Sequence, residues 1–227
     1  MSNLMRGGSD QIATIGTMPE PALIQMIDDP VRVRDVTIAM RRAGENTIGR
    51  QQRYDASEFS LLRFGSRYDQ ALAIEEAFPS ALRLEAERRF AEQSVRHSAP
   101  EEAVLYLTGS LARRMQSGGG ASPDRIEAVA ETLADNDDRA TIDGVPIVGF
   151  SVPVLQVAMR HILRTSTWFP SACEFLQAAR EARKFFWQVQ HTAYRQREIV
   201  REATAFLASY TNSDRPDTDP SDDDIGF

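Results

Sequence analysis

Residues able to do chemistry are few in this chain, and their spacing excludes more than it offers. Cys173 is the only cysteine, and the histidines are His97, His161 and His191. Three scattered imidazoles and one thiol give no metal-ligand spacing. Cys173 falls on the alanine-rich first turns of a helix, where a small buried cysteine is expected rather than a nucleophile. Of the 26 basic residues all but Lys184 are arginine, and that lysine sits in Ala182-Arg183-Lys184-Phe185. A P-loop needs its lysine behind a glycine-rich turn to reach the terminal phosphates, so a Walker-type ATPase is excluded. Schiff-base and kinase lysines are excluded with it. Asp135-Asn136-Asp137-Asp138 begins like a calcium loop, but Ala140 stands where glycine is required and Pro146 where a bidentate Glu belongs. The expectation is a non-enzymatic protein without cofactor or metal.

What remains is arginine interleaved with flat rings. Advancing about 100° per residue from Arg180, Phe175, Ala179, Ala182, Phe186, Val189, Ala193, Val200 and Leu207 gather on one side as a core stripe. The opposite side collects Arg180, Arg183, Lys184, Trp187, His191, Tyr194, Arg195 and Arg201, with Glu198 and Glu202 as its acids. Arginine and lysine on such a face would neutralise phosphates while bases stack on Trp187 and Tyr194, at about 1–3 kcal/mol per base. Two other readings stay open: a solvated amphipathic face whose arginine stems pack over apolar neighbours, and a protein interface anchored by Trp, Tyr and Arg.

The elements that must position these residues read as helices. Residues 1–17 show no sustained period and are expected to be a disordered leader. Pro19 and Pro21 open a short helix through Ile27, and Val31 to Ala43 reads as a second helix stopped by Gly44. Residues 44–55 are expected to be a loop. Helix is expected again from Asp55, with breaks at Gly65 and Pro79. Ser98 is the expected cap of a helix carrying Val104, Leu107, Leu111 and Met115, ended by Ser117-Gly118-Gly119-Gly120. Ser122-Pro123-Asp124 starts the next. Asp135 to Gly149 should be a connecting loop. Val154 to Ile162 marks another helix, and Pro170 opens a last one reaching about Tyr210. No stretch alternates with period two, so the fold class is all-α: an irregular bundle with one long C-terminal helix. The expected regions are 18–97, 98–210 and a disordered acidic tail, 211–227.

Two resemblances give these elements a context. Trp168-Phe169-Pro170-Ser171-Ala172-Cys173-Glu174-Phe175, continuing to Arg180-Glu181, resembles the central segment of phage replication proteins of the lambda P type. In those helicase loaders an aromatic or hydrophobic residue, Pro and Ser open a helix that continues with Phe and closes in Arg-Glu. The likeness extends over 123–183 and implies that Trp168, Phe169, Pro170 and Phe175 engage a replicative helicase. An ordinary capped core helix would also fit these residues. Separately, Asp222-Asp223-Asp224-Ile225-Gly226-Phe227 resembles the acidic tip of bacterial single-stranded-DNA-binding proteins, with Gly226 where proline is typical. That likeness implies docking of Asp222, Asp223, Asp224, Ile225 and Phe227 on the proteins that bind such tips. A generic solubilising end is the alternative.

Charge agrees with a binding protein. The net charge is -7, but residues 152–205 carry an excess of four positive charges and 214–227 an excess of five negative ones. The overall pI of about 5.1 therefore does not exclude nucleic acid. There is no run of about 18 apolar residues for a membrane span, and the first thirty residues lack a signal-peptide core. The expected partners are a replicative helicase and single-stranded DNA in a bacterial host's cytoplasm. The alternative is a protein adaptor or inhibitor of a host factor that binds no DNA.

Overall fold

Short-range hydrogen bonds set most of the helix starts. The computed structural model describes residues 12, 14–56, 66–115, 121–135, 137–142 and 145–213. Pro19 opens α1 (Glu20–Asp28), and α2 runs Val33–Asp55. Serine side chains accept a first-turn amide at the starts of α3 (Arg67–Ala77, capped by Ser66), α4 (Ala81–Arg96, Ser80), α6 (Pro123–Ala134, Ser122) and α7 (Val152–Thr165, Ser151). The longest helix, α8 (Ala172–Ser213), opens on a reciprocal capping box. The Ser171 amide donates to Glu174 Oε2 at 2.7 Å, and the Glu174 amide donates to Ser171 Oγ at 3.3 Å. Helix α5 (Glu101–Arg114) is different: Pro100 stands at its N-cap without a side-chain cap. The expected cap, Ser98, instead donates its hydroxyl to the Val148 carbonyl.

Among the described residues the architecture is all-α apart from one hairpin, β1 (Asp137–Ile142) and β2 (Val145–Val148), paired antiparallel from Asp137↔Val148 to Ile142↔Val145 with one irregularity. It replaces the loop expected over 135–149. Gly149 closes it at φ +69, where an added Cβ would lie 2.9 Å from the Ala134 carbonyl oxygen, so this position requires glycine.

Helix α8, about 63 Å long at 1.5 Å per residue, is the element on which most of the others pack. Helices α2, α4, α6 and α7 meet its first half in the main core, built around Phe90, Phe150, Phe175 and Phe186. Ile74, Phe78 and Leu84 of the α3–α4 region meet Val200 and Leu207 in a smaller cluster farther along. The main core draws on residues from both sides of position 98, so the two expected regions share one interior. No helix among the described residues is long and apolar enough to cross a membrane.

Other expectations are corrected. Residues 14–17 are helical, and Ile12 and Ile15 are buried in the main core rather than part of a disordered leader. Arg89 fixes the end of this turn by donating to the carbonyls of Gly16 at 2.9 Å and Met18 at 2.6 Å. Gly44 does not stop α2, and residues 44–55 continue it. Its missing side chain instead lets two helices approach: an added Cβ would lie 2.5 Å from Val189 Cγ2 on α8. Cys173 is exposed, not buried. The helix expected to close at about Tyr210 extends to Ser213. Gly65, Ser117-Gly118-Gly119-Gly120 and the tail from 214 lie outside the described residues.

Candidate nucleic-acid interface

Every residue assigned to the core stripe of α8 is buried: Phe175, Ala179, Ala182, Phe186, Val189, Ala193, Val200 and Leu207. On the opposite side Arg180, Lys184, Trp187, His191, Tyr194, Arg195 and Arg201 are exposed. Trp187 and Tyr194 show 48% and 50% of their surface and stand two turns apart. The Trp187 ring contacts that of His191 at 4.4 Å between centroids, and the Arg197 guanidinium lies 5.2 Å from the centre of Tyr194. The positive charge of this face is partly answered within the molecule. Arg195 lies 3.9 Å from Asp55, and Arg201 is 3.5 Å from Glu198. Arg197, hydrogen-bonded to Glu198 at 2.8 Å, holds that carboxyl below its usual range, with Arg201 adding to the effect. Lys184 has no ion pair among the described residues.

Arg183 departs from this face. It is buried, donates to the Gly149 carbonyl and lies 4.2 Å from the centre of the Phe150 ring. It sits only about 40° around the helix from Ala179, at the border of the core stripe, and the chain leaving the hairpin covers it. It is a structural residue, not a phosphate contact.

The segment resembling helicase loaders divides in the same way. Trp168 is 63% exposed. Phe169, Pro170 and Phe175, expected to meet a partner, are buried. Phe169 anchors the entry to α8: its carbonyl accepts from Arg125 Nη2 at 3.0 Å, and the Arg125 guanidinium lies 5.6 Å from its ring centre. Pro170, next in the chain, lines a groove of about 720 Å³ between the end of α7, the first turns of α8 and Arg41 and Glu45 of α2. Asp222, Asp223, Asp224, Ile225 and Phe227 lie outside the described residues.

A second basic surface was not anticipated. Helices α2, α5 and α7 enclose a groove of about 340 Å³ lined by Arg34, Arg41, Arg114 and Arg160. Arg41 pairs with Glu45 at 2.9 Å; Arg34, Arg114 and Arg160 have no ion pair among the described residues. Burial first, then the positive charges of Arg164, Arg41, Arg42 and Arg34, lower the pKa of Arg160 below the ordinary guanidinium value. Leu107 and Met159 form apolar walls, and Tyr106 is 47% exposed at the rim. Thr37, 2% exposed, also lines the groove. Its Oγ1 and the Oε1 of Gln156 are buried without a hydrogen-bond partner among the described residues. One sequence signal was available: Arg34 and Arg41, two turns apart, share a helix face, and Arg160 has the like charge of Arg164 one turn on, a pairing that is unfavourable by itself.

Neither a family model, a curated protein nor a solved structure matches the chain. The functional reading therefore stands on the residues themselves.

Proposed function

We propose that this protein is a non-enzymatic accessory of DNA replication, which helps recruit or load a replicative helicase in the cytoplasm of a bacterial host and touches single-stranded DNA through the outer face of α8. The observation that carries the reading is the pair of half-exposed rings, Trp187 and Tyr194, on one side of a rigid helix among Arg180, Lys184 and Arg195. Rings at fixed separation provide stacking tolerant of sequence, and cations beside them track a backbone. The acidic end, Asp222 to Phe227, would dock on proteins that bind the tip of single-stranded-DNA-binding protein: the aspartates steer encounter with a basic rim and Phe227 fills an apolar pocket.

The test is binding of a labelled single-stranded oligonucleotide across a range of salt. Affinity is expected to fall linearly on logarithmic axes as salt rises, and Trp187→Ala should weaken it by about 1–3 kcal/mol at every salt concentration. Undetectable binding at low salt would remove the DNA part of the proposal.

A second reading, a protein adaptor or inhibitor of a host factor that binds no DNA, is favoured by Trp168, a large apolar ring left 63% exposed. On that reading oligonucleotide binding is expected to be undetectable at every salt concentration, and Trp168→Ala to abolish capture of the host protein bound by the natural chain.

A further inference from the structure

We propose that the groove between α2, α5 and α7 binds a nucleoside phosphate, free or as one unit of a nucleic-acid strand. This goes beyond the reading of α8, because it concerns a different surface and stands or falls separately.

Three properties of the groove define its occupant. The first is charge. Arg34, Arg114 and Arg160 line one small space without an ion pair among the described residues, and Arg42 and Arg164 add to the field at Arg160. Converging guanidinium groups repel, and an anion taking two of them in a forked geometry relieves the repulsion. The lowered pKa of Arg160 reports that repulsion together with burial.

The second property is a demand for donors. The Gln156 amide nitrogen already donates to the Pro30 carbonyl at 2.7 Å, and the oxygen of this groove-lining residue is a buried acceptor without a partner among the described residues. A buried acceptor without a partner is costly. Ionised phosphate has no hydrogen to offer, whereas a base edge carries N–H groups. Thr37 Oγ1, buried and also unpartnered, can donate to a base acceptor or accept from a base N–H.

The third is shape. A volume of about 340 Å³ falls within the range of small-ligand and cofactor sites, Leu107 and Met159 give it apolar walls, and the half-exposed Tyr106 ring offers a face for stacking. Anion, N–H donor and flat ring together describe a nucleotide.

An acidic peptide meets the first demand, and this chain carries one at 222–227. Reach disfavours it within one molecule. The groove shares Arg41 and Val157 with the neighbouring groove along α8 residues 174–185. From there to Ser213 is roughly 50 Å along the helix. Residues 214–227 span at most about 50 Å when fully stretched, which leaves no slack for docking.

The experiment titrates the full chain with a ribose-labelled fluorescent ATP analogue, with a short fluorescent mixed-sequence oligonucleotide, and with a labelled peptide of residues 221–227. Arg160→Gln and the exposed Arg34→Gln are each expected to weaken nucleotide binding about tenfold, the worth of one charge-assisted hydrogen bond, with thermal unfolding unchanged. Tyr106→Ala should weaken it severalfold, and Trp187→Ala should leave it as it is. Displacement of the oligonucleotide by the nucleotide assigns the site to a unit of a strand; nucleotide binding alone assigns it to a free ligand. The proposal is overturned if neither probe binds, if both arginine variants bind like the natural chain, or if only the peptide binds in an Arg160-dependent way. Loss of oligonucleotide binding in Trp187→Ala with nucleotide binding intact separates this site from the α8 surface.

Discussion

Arg183 and Glu87 are the two charges on which the interior depends most, for opposite reasons. Arg183 holds the hairpin exit by its bond to the Gly149 carbonyl and its position over Phe150. Arg183→Ala leaves that carbonyl without this partner and is expected to cost about 2–3 kcal/mol in urea unfolding, with oligonucleotide affinity of the folded protein unchanged. A loss of affinity instead would return Arg183 to the binding face. Glu87 is 2% exposed. It accepts from Thr47 Oγ1 at 2.6 Å and lies 3.4 Å from Arg83, yet burial outweighs these contacts and raises its pKa above the ordinary 4.5. The folded state therefore binds this proton more tightly than the unfolded chain, and stability falls as pH rises from about 4.5 through the raised value. Glu87→Gln keeps an acceptor for Thr47 and is expected to stabilise by about 1 kcal/mol at pH 7, an advantage that vanishes below the ordinary glutamate range. Glu85 opposes this trend. Arg88 first, and Arg197 after burial, hold its carboxyl below the usual range, so its contribution is present above the ordinary glutamate value and lost as pH falls. Thermal unfolding from pH 3 to 8, with and without Glu87→Gln, separates the two.

Glycines along the helices test the packing against bare helix propensity. An added Cβ at Gly44 would meet Val189 Cγ2 at 2.5 Å, whereas at Gly49 its nearest neighbour is Arg53 Nη1 at 3.7 Å and at Gly109 nothing lies within 4 Å. Gly49→Ala and Gly109→Ala are each expected to stabilise by about 0.5–1 kcal/mol, the ordinary difference between the two residues in a helix. Gly44→Ala should destabilise by about 1–2 kcal/mol, because overpacking exceeds that gain. Calorimetry on the three variants checks the sign, and a stabilised Gly44→Ala would mean that α2 and α8 are not in close contact. The contrast explains what could be read beforehand. The helix start at Ser122 was legible because the cap and the amide it accepts from lie three residues apart. The core stripe of α8 was legible because a 3.6-residue period repeats over its length. Gly44 was misread because its role is set by Val189, 145 positions away. The arginine groove was missed for the same reason, since Arg34, Tyr106, Gln156 and Arg160 converge from three helices and 25 arginines along the chain hide which of them meet.

At the scale of the whole molecule the two basic surfaces differ in what the acidic end can reach. Residues 214–227 carry six aspartates and one arginine and leave α8 at its last turn, whose neighbouring exposed cations begin at Arg201 and Arg195. Arg201 lies about 18 Å back along the helix from Ser213 and Lys184 about 44 Å, so fourteen residues, about 50 Å at full stretch, are long enough to reach the nearer part of the outer face. Tethering keeps its local concentration in the millimolar range, and at low salt the attraction between opposite charges is screened little. If α8 binds single-stranded DNA as proposed, the acidic end is expected to compete for that face and much less for the groove. Removing residues 214–227 is expected to strengthen oligonucleotide binding severalfold at low salt, with the gain disappearing at high salt, and to leave binding of the nucleotide probe unchanged. Equal strengthening of both would place the groove within the tail's reach, and no change in either would show that the six aspartates serve partners alone.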